Sequence, residues 1–390
     1  MLIGKVVKAF AHKFGLDIVP FRPSEISEHI VSLKTQGSSK GTVLLAYLIE
    51  PFLENDRATI SSKHTNHLES VCIAETFLDL GYDVDVIDYR HSAFRPQKAY
   101  TAFFSARVYF EHIAKRLNPE CIKIVHLDTA HWSFNNTMAF RRSLEMAERR
   151  GTAVYSMKRI EPNYAIEHAD VATFLGNQFT EETYRFAGKP MHRLPVPSYK
   201  LYDWPEHKDF EQCRKRFFWM GSVGLVHKGL DLVLEAFAQL PDFELVVCGP
   251  IDETPRFKQV YHEELFERDT IENLDWIDIA GPEFTEKVQN RCIGLVYPSA
   301  SEGQSGAVVT CMQAGLIPII SYESGVDVDD FGIILNQCTI DEIISAVQRI
   351  SELPEPELKA MSRRTWQYAQ ANHSQENYRK RLREILKQIL

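Results

Sequence analysis

The chain has 390 residues, too long for one small core and about right for two domains of ordinary size. Hydrophobic residues at 44% and charged residues at 25% argue against a disordered chain and against an integral membrane bundle. With 53 acidic against 44 basic residues the net charge is -9, and no segment interleaves Lys and Arg with aromatics as a nucleic-acid groove does, so no nucleic-acid partner is expected.

The seven cysteines (Cys72, Cys121, Cys213, Cys248, Cys292, Cys311, Cys338) lack Cys-x-x-Cys pairing and read as reduced core residues of a cytoplasmic protein. No apolar run reaches the roughly 18 residues that span a bilayer, and the start of the chain lacks a signal peptide's pattern. Ile3, Val6, Val7, Phe10 and Phe14 recur at helical spacing, with Lys5, Lys8 and Lys13 away from them. This pattern predicts an amphipathic helix docked on its own domain, and residues 1–16 are also the candidate for peripheral contact with the inner face of a membrane.

From residue 42 short β-branched runs alternate with amphipathic ones. The pattern predicts a strand at Thr42–Leu48, a helix from about Asn66 to Leu80 and a strand at Asp83–Asp88. Segment Val108–Leu117, strand Ile122–His126, helix Thr137–Arg150, strand Val171–Leu175 and helix Thr180–Ala187 follow. Strands alternating with helices make a parallel sheet covered on both faces. Pro195, Pro197 and Pro205 interrupt the rhythm over Pro195–Arg214. It restarts with strand Phe217–Met220, helix Leu230–Leu240, strand Phe243–Cys248, helix Phe257–Glu267, strand Trp276–Ala280 and helix Phe284–Asn290. Strand Ile293–Tyr297, a helix from Gly306, strands Ile317–Ser321 and Phe331–Leu335 and helix Ile340–Ile350 complete a second doubly wound sheet. Two terminal helices follow Pro354 and Pro356, the second capped by Ser374. The expected organisation is an α/β chain of two Rossmann-like domains facing across a cleft: residues 1–200, a linker at 201–213, and residues 214–373.

Open parallel sheets bind ligands beyond the carboxyl ends of their strands, which directs attention to three turns. After Phe217–Met220 come Gly221, Ser222, Gly224 and Lys228-Gly229; glycines admit a phosphate to the backbone, and Lys228 near a helix start adds a full charge to the dipole. A glycine turn whose lysine merely meets water fits this pattern equally well, and neither sharply defined nucleotide motif, G-x-G-x-x-G or G-x-x-x-x-G-K-[ST], is present. After Ile293–Tyr297 comes Pro298-Ser-Ala-Ser-Glu302-Gly303-Gln304-Ser305-Gly306, where backbone amides at a helix start can hold phosphate or sugar oxygens and the Glu302 carboxylate can accept sugar hydroxyls. The third, Gly281-Pro282-Glu283, can pack under a base or be an ordinary turn.

The stretch Phe217–Asp327 resembles the C-terminal domain of retaining GT-B glycosyltransferases of family 4 through Gly221, Lys228-Gly229, Pro298-Ser299, Glu302-Gly303, Gly306 and Ala314-Gly315. Residues Ile166–Asn177 are similar, more loosely, to that family's strand before the interdomain linker. The resemblance implies a GT-B architecture in which residues 374–390 pack back on the first domain. It also implies a nucleoside diphosphate sugar as donor substrate, with no separate cofactor and no metal. Lys228 would then neutralise the donor diphosphate, while Glu302 and the amides of Gly303 to Gly306, spanning Gln304 and Ser305, would grip the sugar and phosphate. Ser222 stands where the family has an arginine, and Thr310 where it has a second glutamate that binds ribose; a hydroxyl is a weaker, neutral acceptor.

On the acceptor side the candidates are His126-Leu-Asp128-Thr-Ala-His131-Trp132 at a strand end and His64-Thr-Asn-His67 at a helix start. His131 reads equally as an acceptor-positioning group or a structural histidine. Two histidines alone are a poor metal site. Asp83 and Asp85, which superficially match a metal-binding Asp-x-Asp, read as the solvated face of a strand. The expected function is transfer of a sugar, with retention, to a glycan, lipid-linked or small-molecule acceptor. The alternatives are a non-catalytic nucleotide-sugar-binding protein or a same-fold epimerase, which Ser222 and Thr310 keep open.

Overall fold

Strand residues that read as continuous apolar runs are buried on both faces, as a parallel sheet between helical layers demands: Val43, Leu44, Leu45 and Ala46 are all at 0% exposure, as are Phe217, Phe218 and Trp219. The computed structural model describes residues 28–53, 65–155 and 158–390. The amphipathic run near the start of the chain, and His64, lie outside those residues.

The first domain holds β1 (Ile30–Leu33), β2 (Thr42–Tyr47), β3 (Asp83–Asp88), β4 (Ala102–Ala106), β5 (Ile122–Leu127), β6 (Val171–Leu175) and β7 (Met191–Leu194), arranged β1-β3-β2-β4-β5-β6-β7. All neighbours are parallel except β1, which runs antiparallel to β3. The two long helices here are α1 (Thr65–Asp79) and α2 (Trp132–Arg150). The second domain holds β8 (Arg216–Met220), β9 (Glu244–Cys248), β10 (Ile271–Asn273), β11 (Gly294–Tyr297), β12 (Ile317–Ser321) and β13 (Ile333–Leu335), an all-parallel sheet ordered β10-β9-β8-β11-β12-β13. Its longer helices are α3 (Leu230–Phe237), α4 (Gly306–Gln313), α5 (Ile340–Ser351) and α6 (Glu355–Asn372).

The strand order reverses between β8 and β11, so the chain leaves these adjacent strands in opposite directions and opens a crevice at their carboxyl ends. The Gly221–Lys228 turn follows β8 and the Glu302 turn follows β11. The final helix α7 (Gln375–Ile389) begins at Ser374, whose hydroxyl accepts from the Asn377 amide at 3.1 Å. It packs on α1, with Arg379 paired to Glu75 at 2.8 Å and Arg383 to Asp79 at 2.5 Å, so the end of the chain is fastened to the first domain. No helix among the described residues is long and apolar enough to cross a membrane.

Several elements depart from the sequence reading. Residues 276–280 are loop rather than strand: Asp275 has φ 50, and Asp278 accepts from the Ala280 amide through its side chain and from the Gly281 amide through its carbonyl, which turns the chain. The edge strand is β10, five residues earlier in register with β9. Asp85 is not solvated, because β1 covers β3; it is 4% exposed and accepts from Ser32 and Tyr100 at 2.8 Å each and pairs with Lys98 at 2.8 Å. Six of the seven cysteines are buried and all are free thiols.

Candidate functional site

Glu302 sits at the end of the β11 turn with its two carboxylate oxygens taken by different domains. Oε1 accepts from Lys228 Nζ at 2.6 Å, from the Tyr297 hydroxyl at 3.0 Å and from Ser299 at 3.3 Å; Oε2 accepts from Lys158 Nζ at 2.8 Å. Lys228 also donates to the Tyr297 hydroxyl at 2.9 Å. Burial by itself opposes ionisation of Glu302, and the Lys158 and Lys228 charges outweigh it, holding the carboxyl well below the usual range. The neighbouring His227 is pushed down to about 4 by burial; its Nε2 donates to the Ser301 carbonyl at 2.7 Å, so the ring is neutral at pH 7 and packs the turn without adding charge.

The Glu302 turn is wedged between the domains. Gly303 carries no side chain because a Cβ there would lie 2.4 Å from the Asp128 carbonyl oxygen, and its own carbonyl accepts from Thr180 at 3.2 Å. The Ala130 amide donates to the Glu302 carbonyl at 3.1 Å. On the other side the Glu302 and Ser305 amides donate to the carbonyls of Glu323 and Ser324, both at 2.9 Å. The Ser305 amide is therefore spent inside the protein, which corrects the expectation that every amide from Gly303 to Gly306 faces a ligand. What α4 offers is its first turn, Gly306 and Ala307, after the Ser305 cap.

A cavity of about 510 Å³ opens above this turn, and the residues singled out in the sequence are brought together on its wall: Gly221, Ser222 and Lys228 from the β8 turn, and Glu302, Gln304, Ser305, Gly306 and Thr310 from the β11 turn and α4. Gly281 is not on the wall; the loop before it is, through Trp276, Ile277, Asp278 and Ile279. Gly303 lies beneath the wall as a spacer. The first domain contributes Asn66, Asp128, Lys158 and Leu175. Asp128 is ion-paired with Arg107, and the pair's charge keeps its carboxyl below the usual range against the opposing effect of burial.

His131 lies elsewhere. It is the N-cap of α2, with Nδ1 2.8 Å from the Ser133 hydroxyl, its ring packed on Trp132, Tyr184 and Phe186, and 8% exposure. Three residues before it, Asp128 is the member of that cluster that reaches the cavity. His126 is fully buried, bonded to Thr173 at 2.8 Å and Glu69 at 3.1 Å. Asp327 pairs with Arg193 at 2.6 Å. Lys158 is the site residue that sequence reasoning missed: it stands in no motif and its partner is 144 positions away.

Residues 214–352 match the family described as glycosyl transferases group 1. A search of curated proteins gave no match. Among solved structures the chain is similar to sucrose-phosphate synthase from Thermosynechococcus elongatus (TM-score 0.62, 13% identity, 89% of this chain and 98% of that one). It is also similar to HepE from Anabaena in complex with UDP-glucose (TM-score 0.57, 11% identity, 89% and 100%) and to S. aureus TarM in complex with fondaparinux, alpha-GlcNAc-glycerol and UDP (TM-score 0.51, 12% identity, 81% and 58%). The chain thus spans little more than half of the TarM chain but nearly all of the other two. Its fold is GT-B, and its second domain carries the group 1 glycosyltransferase signature.

Proposed function

We propose that this GT-B chain is a glycosyltransferase that moves a sugar from a nucleoside diphosphate donor to a glycan, lipid-linked or small-molecule acceptor, with retention and without a metal ion. The observation that carries this reading is Glu302 gripped by Lys228 and Lys158 at a topological switch point, inside a cavity walled by both domains. Lys228, Lys158 and the first turn of α4 on its wall suit a diphosphate, and Trp276, Ile277 and Ile279 on the same wall suit a base. When the anomeric carbon–oxygen bond breaks, negative charge grows on the diphosphate, and a lysine fixed at 7% side-chain exposure meets that charge without reorganising. Glu302 would release lysine charge to the phosphate and accept sugar hydroxyls in exchange. Thr310 on the same wall supplies a hydroxyl acceptor for the ribose.

Among the described residues no group of three or more His, Cys, Asp or Glu side chains is placed to hold a metal, and the lysines supply the countercharge in this reading. The complexes printed for HepE and TarM make UDP the first nucleotide to try. The test is a thermal-shift screen with UDP, ADP and GDP and their glucose and N-acetylglucosamine conjugates, followed by NMR of the anomeric product. Stabilisation by one diphosphate that disappears in Lys228→Ala, with transfer to an added acceptor, is the expected result. Ligand binding without turnover of any donor would leave a binding protein instead, and no binding would remove the reading altogether.

A further inference from the structure

Among the described residues, two cationic side chains reach the cavity wall, Lys228 from the second domain and Lys158 from the first. The Lys158 ammonium and that of Lys228 take the two oxygens of a single carboxylate, at 2.8 and 2.6 Å, so both stand at one anionic group. A diphosphate taking the place of that carboxylate would meet both ammonium groups.

The position of Lys158 is built rather than incidental. Its carbonyl accepts from Asn135 Nδ2 at 2.8 Å, and two residues on, Asn136 brackets Ile160, accepting from its amide at 2.9 Å and donating to its carbonyl at 2.8 Å. Both asparagines lie near the start of α2, and Asn135 is fully buried. From the other domain, Gly224 presses on the same residue: with φ +93 it admits the Lys158 main chain so closely that a Cβ would lie 3.2 Å from Lys158 Cβ and 3.3 Å from its amide nitrogen. Main chain is thereby clamped against the β8 turn that carries Ser222, while the side chain stays 37% exposed and can turn from Glu302 to a ligand.

We infer that Lys158 of the first domain is the second cation of the donor site, binding the diphosphate opposite Lys228 and coupling leaving-group stabilisation to closure of the two domains. The inference rests on the donor-site reading above. Ser222, a neutral group lining the same cavity, adds no charge of its own. Because the charge arrives from the other domain, an open molecule holds a weak anion site and a closed one a strong site, so donor cleavage waits for closure.

The test measures UDP, UMP and uridine binding by calorimetry to the full chain and to Lys158→Ala, Lys158→Arg and Lys228→Ala. The expected result is a loss of UDP affinity of about ten- to a hundredfold in Lys158→Ala, a smaller loss for UMP, none for uridine, and recovery to within a few fold in Lys158→Arg. If Lys158 is only a strut between the domains, the three ligands weaken together in Lys158→Ala, and the inference is overturned. It is also overturned if Lys158→Ala binds UDP as the parent does while Lys228→Ala does not, an outcome that leaves the donor-site reading standing. Should neither lysine matter to a nucleotide that does bind, the donor site itself lies elsewhere and both fall.

Discussion

A buried carboxylate flanked by two ammonium groups is stable only as a set, and removing the middle member is the severe change. Glu302→Gln leaves Lys228, with 7% side-chain exposure, facing an amide. Breaking such a pair is expected to cost about 3 kcal/mol in urea unfolding at pH 7. The same carboxyl gives the sign of an acid effect: its folded pKa is depressed, so its contribution is complete above the ordinary carboxylate value and is lost as pH falls below that value toward the folded one. The acid limb of the stability profile should therefore be shallower in Glu302→Gln than in the parent.

Buried His373, pushed down to about 4 and 3.1 Å from the Val196 carbonyl, acts in a separate window. The unfolded chain takes up its proton near pH 6.5 and the folded one does not, so stability falls as pH drops from about 6.5 toward 4. His373→Gln should recover about 2 kcal/mol of the difference between pH 7 and pH 5 in paired urea melts. Lys228 and Glu302 could be read from sequence because each follows a strand at a fixed short offset. Lys158 could not, because what positions it is two asparagines 22 and 23 residues before it and a glycine in the other domain.

At the scale of elements, the β11 turn owes its path to a second loop that closes beneath it. Gly325, at φ +75 after β12, stands where a Cβ would fall 1.5 Å from the Gly303 carbonyl oxygen, and the Ser305 amide is held by the Ser324 carbonyl one residue earlier. Gly325→Ala must either unseat this loop or push Gly303 into the Asp128 backbone. We expect a loss of about 3 kcal/mol or more in stability, together with loss of UDP-dependent thermal stabilisation. Gly188→Ala, also at positive φ but with open space around it, serves as the control that bears strain without contact. The alternation of apolar runs placed most strands well, since β3, β6 and β12 have the expected limits. It failed where burial and periodicity part company. Strand β4 is a fully buried Ala-Phe-Phe-Ser-Ala without a β-branched residue, and β7 is a Met-His-Arg-Leu edge whose polar residues mask it. The Trp276–Ala280 run puts Trp276, Ile277 and Ile279 on the cavity wall while Ile277 is also buried in the core, so its apolar residues mimic a strand without forming one.

Across the whole molecule, the two domains are also joined by an arginine-rich helix. On α2, Arg142 donates to the Pro298 carbonyl at 3.0 Å, Arg149 pairs with Asp231 at 2.5 Å and Glu235 at 3.0 Å, and Arg150 pairs with Glu235 at 3.1 Å and with Glu264. The partners are on or beside α3, the helix that follows Lys228-Gly229, so this ladder sets the angle between the β8 turn and the Asn135–Asn136 turn that holds Lys158. Arg149 and Arg150 are about a quarter exposed and share Glu235, while Asp231 is fully buried, so the network acts as one clamp. Arg149→Gln with Arg150→Gln should loosen the domains without unfolding either. In small-angle scattering the radius of gyration should rise in the ligand-free double variant and return on addition of UDP, at a half-saturating concentration about tenfold higher than for the parent. An unchanged radius with unchanged UDP affinity would show that α7, fastened to α1 through Arg379 and Arg383, holds the closed arrangement without the α2 ladder.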